Sequence, residues 1–275
     1  LGRLSKNEEL KEKLKIGFIP TPSLNVNEAM GGGFPIGRTT IVSGLPDSGK
    51  TFLMLETIGK NMKENPNFVV GWLESEKSLS ERDLDLFGID KDRFLYIEID
   101  KQGAAEQAMD LAESVISTGS INMFVVNSLK CLVPSEEFNK SMGEVTVGLQ
   151  ARFNAKMMRK LTTTVAETEV AFILIQHLTT DIGSKSRDPL IISGGTAIKH
   201  GASVIVDMRK RSIDISEPIK KEEGIKIGFS VKKNHVITNR YPYVKTFYYA
   251  IFGQGTEVYL EALDLALSQG ILNQA

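Results

Sequence analysis

At 275 residues the chain can bury one large core, or one core with a small appendage. Apolar residues at 41% and charged residues at 24% are ordinary for a globular protein. No apolar run approaches the ~18 residues of a membrane span and the first residues hold no signal-peptide core, so a cytoplasmic protein without a membrane partner is expected. The net charge of −1 gives no global pull toward nucleic acid, so any such binding must rest on local basic surface. The single cysteine, Cys131, excludes an internal disulfide framework, and its apolar neighbours mark it as a core filler.

In chain order, residues 5 to 15 form a short charged helix pattern, which Pro20 and Pro22 then break. Residues 1–22 are therefore expected to be a helix and a linker or docking arm, and residues 23–275 the core. Apolar strand patterns follow at Thr40–Ser43, Phe68–Leu73, Phe94–Ile97, Met123–Asn127, Val170–Gln176 and Ser203–Met208. Ile225–Lys232 and Thr246–Phe252 alternate more and predict an antiparallel edge. Helical patterns occupy 51–64, 103–117, 148–166 and 259–268. The alternation predicts an α/β fold, a mostly parallel, doubly wound sheet with antiparallel edge strands. Between Thr179 and Ser193 no periodicity is visible, and a loop that long inside a domain is usually functional or disordered.

Gly44-Leu-Pro-Asp-Ser-Gly-Lys-Thr51 is a complete G-x-x-x-x-G-K-[ST] phosphate loop, set between a strand pattern and a helix pattern. Gly44 and Gly49 let the backbone curl so that its N–H groups converge on phosphate oxygens, Lys50 adds positive charge at the β/γ-phosphates, and Thr51 offers a hydroxyl to Mg²⁺. Gly44, Leu45, Pro46, Asp47, Ser48, Gly49, Lys50, Thr51 and Phe52 are thus the expected nucleotide-binding run, for ATP with Mg²⁺.

Glu74 and Glu76 close the next strand pattern and share a side if it stays extended; a carboxylate there can orient an attacking water. The alternative is the start of a solvated loop. Met123-Phe-Val-Val-Asn-Ser128 is a core strand that in phosphate-loop ATPases normally ends in a Mg²⁺-holding Asp. Here Asn127 takes that place. Weaker Mg²⁺ binding and slow hydrolysis are expected, with Glu74 supplying the missing negative charge. His177, one of three histidines, ends another core strand where the aperiodic loop begins, a place for a γ-phosphate sensor, although a lone histidine is often structural.

The ordered set of features resembles the RecA family of homologous-recombination ATPases over about residues 22 to 272. The likeness runs from Ser23-Leu-Asn-Val-Asn-Glu-Ala-Met-Gly-Gly-Gly-Phe-Pro-Ile-Gly-Arg38 through the phosphate loop, Glu74-Ser-Glu76, Gly88-Ile-Asp90, Gly148-Leu-Gln-Ala-Arg152 and Met158-Arg-Lys-Leu161. It continues in Gly194-Gly-Thr-Ala-Ile-Lys199, Lys233-Asn-His235 and Gly253-Gln-Gly255. The resemblance implies Glu76 as catalytic glutamate, with Lys50 and His177 beside it. A histidine at 177 is similar to the phage UvsX-type recombinases, which implies a phage or prophage protein. Lys140 to Val147 is the implied first DNA loop. Thr179 to Thr196 is the second, with Thr179, Thr180, Ser193, Gly194, Gly195, Thr196 and Lys199 at DNA and Ile182 as the wedge between bases. Lys233 and His235 match a basic pair that reaches a neighbouring subunit's ATP, Asp83 stands where a base-stacking residue is common, and the regulatory C-terminal domain of bacterial members is expected to be absent.

Independently of the likeness, Arg152, Lys156, Arg159 and Lys160 lie at i, i+4, i+7 and i+8 of a helix, and Leu149, Phe153, Met157 and Leu161 form an adjacent apolar stripe. One stripe suits the core and the other suits phosphates or plain solvent. No aromatic residue lies in the second loop, so backbone and salt-sensitive contacts should dominate over stacking. The implied activity is an ATP-dependent recombinase that forms helical filaments on single-stranded DNA and pairs it with homologous double-stranded DNA. Two alternatives are a weakly hydrolysing ATP- and DNA-binding paralogue and a ring-forming helicase or remodelling ATPase of the same fold.

Overall fold

The computed structural model describes residues 15–99, 104–141, 148–181, 183, 190–213, 218–237 and 244–272. The helix expected at 5–15 lies almost wholly outside them, as do Val147 and Ile182. A ten-stranded sheet forms the body, in the order β12-β11-β10-β9-β3-β7-β6-β4-β5, with β8 attached to β7. Its strands are β3 (Thr39–Gly44), β4 (Val70–Glu74), β5 (Phe94–Glu98), β6 (Met123–Asn127), β7 (Ala171–Thr180), β8 (Leu190–Ile192), β9 (Val204–Arg211), β10 (Gly224–Asn234), β11 (Lys245–Ile251) and β12 (Gly255–Thr256). The run β9, β3, β7, β6, β4, β5 is parallel; β10, β11, β12 and β8 are antiparallel. Every residue of β3, β4 and β6 is buried, as expected of parallel strands covered on both faces.

Eight described helices complete the fold: α1 (Leu24–Met30), α2 (Lys50–Glu64), α3 (Glu81–Leu86), α4 (Ala105–Ser117), α5 (Ser135–Phe138), α6 (Leu149–Thr168), α7 (Thr196–Gly201) and α8 (Val258–Ser268). Because neighbours on a strand point to opposite faces, Val42, Ile173 and Val206 join the α2 residues Leu53, Met54 and Ile58 in one core. Ile41, Phe172 and Ile205 join Ala112 of α4 and Phe153, Met157 and Leu161 of α6 in the other. Phe172 is fully buried at the sheet centre, and truncating such a ring costs about 3–5 kcal/mol.

A small ladder precedes the body: β1 (Phe18–Ile19) pairs with β2 (Phe34–Pro35), and Asn61 Nδ2 of α2 donates to Pro20 O at 2.9 Å. The chain therefore packs on its own core before Ser23. Ser23 caps α1, its hydroxyl accepting from Val26 N at 3.0 Å and donating to Glu261 Oε2 at 2.9 Å. Asn25 N donates to the same oxygen at 2.8 Å, so one buried carboxylate ties the opening segment to α8.

Three departures from the sequence reading have simple causes. β7 runs on to Thr180 and pairs antiparallel with β8, Leu178 facing Ile192, so both ends of the expected loop 179–193 are a ladder. Its β-branched residues do not alternate with polar ones and so carried no periodic signal. β5 is an edge strand with Leu95 and Tyr96 exposed, not a core strand. The short helices α1, α3, α5 and α7 are too brief for a helical period to register.

Candidate nucleotide and DNA site

The phosphate loop leaves the C-terminal end of β3 and enters α2. Gly49 has φ +86° and Asp47 φ +57°, a sharp left-handed turn that lets successive N–H groups face one concavity. A Cβ at Gly44 would collide with Ser48 Oγ and Met208 O, so the close curl requires glycine. Lys50 Nζ folds over the loop, donating to Leu45 O at 2.8 Å and Gly44 O at 3.2 Å. Burial pulls the Lys50 ammonium pKa below its usual value, against the opposing charges of Glu76 and Asp47. Leu45, Pro46 and Asp47 are exposed, Ser48 is buried, and Thr51 and Phe52 are half-buried on the first turn of α2.

Register brings the polar strand ends together. His177 of β7 stands opposite Gly44 of β3, and Asn127 of β6 opposite Glu74 of β4. His177 Nε2 lies 2.7 Å from Glu76 Oε1, and Ser128 Oγ donates to the same oxygen. Burial would raise the Glu76 pKa, but the hydrogen bonds from Ser128 and His177 and the charges of His177 and Lys50 hold it below the ordinary glutamate value. A glutamate so held stays ionised at neutral pH.

Glu74 does not share this position. β4 ends at Glu74, the chain turns, and the two carboxylates separate. Glu74 is wholly buried and accepts from Trp72 Nε1, Asn127 Nδ2 and Glu76 N, each at 2.9 Å. The shared side expected from their spacing held only while the strand stayed extended. Cys131 is also not a core filler. It is exposed at the end of a 3-10 turn, with Sγ 3.7 Å from Ser128 Oγ and 3.8 Å from Glu76 Oε1.

Next to His177, Gln176 points to the opposite sheet face and donates to Ser193 O at 2.9 Å and Ser193 Oγ at 3.1 Å. Asn154 of α6 donates to Gly194 O at 2.8 Å. Adjacent residues of one strand thus touch Glu76 on one side and the foot of the second expected DNA loop on the other. Gly194 and Gly195 have φ +96° and +91°, and a Cβ at Gly194 would press on Asn154 Nδ2. Sequence reading passed over Gln176 and Asn154; for Gln176, a polar residue closing an apolar run was the available signal.

The other expected DNA residues that the structure describes lie on β7, on α7 and the turn into it, and on α6. Thr180, Gly195 and Thr196 are exposed, and Thr179, Ser193 and Lys199 half-buried. Arg152, Lys156 and Arg159 are exposed on α6, with Arg152 3.6 Å from Glu136. Lys160 leaves the stripe: it pairs with Asp110 at 2.9 Å and Glu113 at 2.6 Å on α4. Four apolar positions of α6, Leu149, Phe153, Met157 and Leu161, are buried as their spacing predicted.

Lys233 and His235 lie elsewhere. Lys233 pairs with Ile205, which pairs with Ile41, three residues back from Gly44 and so roughly 10 Å along the strands. Lys233 Nζ donates to Lys199 O at 2.8 Å and His200 O at 3.0 Å, at the end of α7 and away from this chain's own phosphate loop. Burial lowers the Lys233 pKa, while His235 is exposed.

Beside the phosphate loop a cleft of about 370 Å³ is lined by Thr51, Phe52, Ser78, Asp83, Phe87 and Phe252. Asp83 caps α3 in a reciprocal box with Ser80. Phe252, 59% exposed, is a ring that a planar partner could cover, and sequence reading missed it as the last residue of an edge-strand pattern.

The sequence model of the RecA N-terminal domain matches residues 3–257. The chain belongs to the RecA family. RecA proteins of Syntrophus aciditrophicus and Thermus aquaticus are each 32% identical to it, over 99% and 96% of this chain and 76% and 75% of theirs. That of Aquifex pyrophilus is 33% identical over 96% of this chain and 73% of its own. Among the described residues no helix is long and apolar enough to cross a membrane.

Proposed function

We propose that this RecA-family protein is an ATP-dependent recombinase that polymerises on single-stranded DNA and pairs it with homologous duplex. The observation that carries the reading is the line Glu76–His177–Gln176–Ser193, which runs from the carboxylate near Lys50 to the foot of the expected second DNA loop. The residues present suit Mg-ATP. The loop is a cradle that a Cβ would fill, and Asn127 Oδ1 is buried without a partner. Thr51 Oγ1 and, through water, Asn127 Oδ1 would hold Mg²⁺, which neutralises charge at the β- and γ-phosphates when bound. Lys50 would leave its own loop carbonyls for the phosphates. Glu76, ionised and oriented by Ser128 and His177, would position the attacking water. Phe252 would cover the base.

In this reading His177 exchanges part of its contact with Glu76 for the γ-phosphate. Any shift of β7 at that point passes through one peptide unit to Gln176, and so to Ser193–Gly194. Arg152, Lys156 and Arg159 beside that loop would meet DNA phosphates. Lys233 and His235 would meet the nucleotide of a neighbouring copy, and residues before Phe18 would dock on it.

Fluorescence anisotropy of labelled single-stranded DNA, with and without ATP, and electron microscopy of the same samples test the reading. Filaments and tight binding only with nucleotide are expected; equal binding in both conditions would refute it. Asn127 favours a second reading, a paralogue that binds ATP and DNA but hydrolyses slowly. Filaments without measurable turnover would select it.

A further inference from the structure

The buried pair Glu74–Asn127 carries an inference that rests on the Mg-ATP reading. In phosphate-loop ATPases the strand occupied here by β6 ends in an acid. In this chain the amide sits on β6 and the acid sits on its neighbour β4, at the paired position. The two side chains touch, Asn127 Nδ2 donating to Glu74 Oε2 at 2.9 Å.

That contact decides which way the amide points. A carboxylate only accepts, so Glu74 selects the NH₂ end of Asn127. Ser78 Oγ, 3.2 Å from the same nitrogen, is compatible with it. The oxygen end is then turned away from Glu74, buried and without a partner. Leaving a buried acceptor unsatisfied is costly, and a metal-bound water is the donor the site would supply. Glu74 itself is wholly buried, receives three donors, and faces no cation in any ion pair of the described residues. A divalent metal held at Asn127 would supply its counter-charge.

We propose that Glu74 is a positioning residue for the metal: it locks the Asn127 amide with its oxygen toward Mg²⁺ and supplies from β4 the negative charge that β6 lacks. Asn127 is then one half of an exchanged acid–amide pair, not a damaged acid. Restoring an acid at 127 alone would set two carboxylates within hydrogen-bonding distance, and exchanging both residues would rebuild the pair in mirror order.

The test is a four-protein cycle of wild type, Glu74→Gln, Asn127→Asp and the double variant. Two readouts avoid turnover. One is the melting temperature without nucleotide. The other is the Mg²⁺ concentration for half-maximal ADP binding, followed by emission of Trp72, the sole tryptophan, whose ring nitrogen donates to Glu74. Asn127→Asp alone should melt more than about 4 °C lower. Glu74→Gln alone should raise the Mg²⁺ requirement about tenfold, a change of about 1.4 kcal/mol. The double variant should recover toward wild type in both. Additive effects, or an Asn127→Asp protein that gains Mg²⁺ affinity with no loss in melting temperature, would overturn the proposal. If Glu74→Gln fails to fold, a folded double variant still supports it, and an unfolded one overturns it. The melting cycle needs no DNA, so failure to bind single strands would sink the recombinase reading and leave this result standing.

Discussion

The two ends of the central strands are built on opposite terms. At the end where β3, β4 and β6 finish, polar groups converge: Asn127 and His177 are brought level with their neighbours by parallel register, Glu76 and Ser128 follow β4 and β6, and Lys50 opens α2. Toward the other end lie Lys233, whose ammonium caps α7, and the exposed His235. One end gathers a phosphate loop, a lysine and an ionised carboxylate, and the other holds a cation that caps a helix. In the proposed filament the second end of one copy would complete the first end of its neighbour.

The largest effect should come from breaking each end separately. Lys50→Ala and Lys233→Ala should each lower DNA-stimulated ATP hydrolysis by at least about a hundredfold, since each removes a charge from the phosphates. An equimolar mixture should regain measurable hydrolysis, because an intact Lys233 from one variant can face an intact phosphate loop of the other. No recovery in the mixture, with both variants folded by circular dichroism, would mean that the centre is not shared.

A smaller effect sharpens the enclosed end. Gln176→Leu removes the contacts to Ser193 and leaves those of Glu76 with His177 and Ser128. ATP affinity should change by less than about twofold, while the ratio of single-stranded DNA affinities with and without ATP should fall about tenfold, roughly one charge-neutral contact pair of coupling. An unchanged ratio would break the link from β7 to the loop.

The smallest effect concerns the tie between the opening segment and α8. Burial, opposed by the donors Asn25 and Ser23, raises Glu261 from 4.5 to about 7, with the charge of nearby Glu56 adding to the rise. A raised carboxyl binds its proton more tightly folded than unfolded. Its stabilising share is therefore present below about pH 4.5 and is lost as pH climbs through about 7, on the order of 3 kcal/mol. Glu261→Gln should melt higher than wild type at pH 8 and match it at pH 4.5. A pH-independent difference would mean that the carboxyl is not the titrating group.

The phosphate loop was legible without coordinates because its chemistry is contiguous: Gly44 to Thr51 hold their spacing on one backbone, so residue order alone encodes the cradle. The α6 stripe was nearly as legible, since a helix converts spacing into faces. The pattern could not show that Lys160 pairs with Asp110 and Glu113 of another helix, or that Arg152 lies 3.6 Å from Glu136. Cys131 was misplaced for the same reason, because apolar neighbours in sequence say nothing of a turn that carries the thiol out to Glu76.

From its residue order this chain determined an α/β fold, a phosphate loop, and a histidine and a glutamate close to the ends of apolar strand patterns. Those properties follow from local periodicity and from groups only a few bonds apart. Tertiary structure alone decided that Glu74 leaves the surface to grip Asn127, that Gln176 holds Ser193, and that Lys233 faces away from its own loop. Each of these depends on which strands lie side by side and in what register, and register is set by burying two whole sheet faces at once rather than by any single segment.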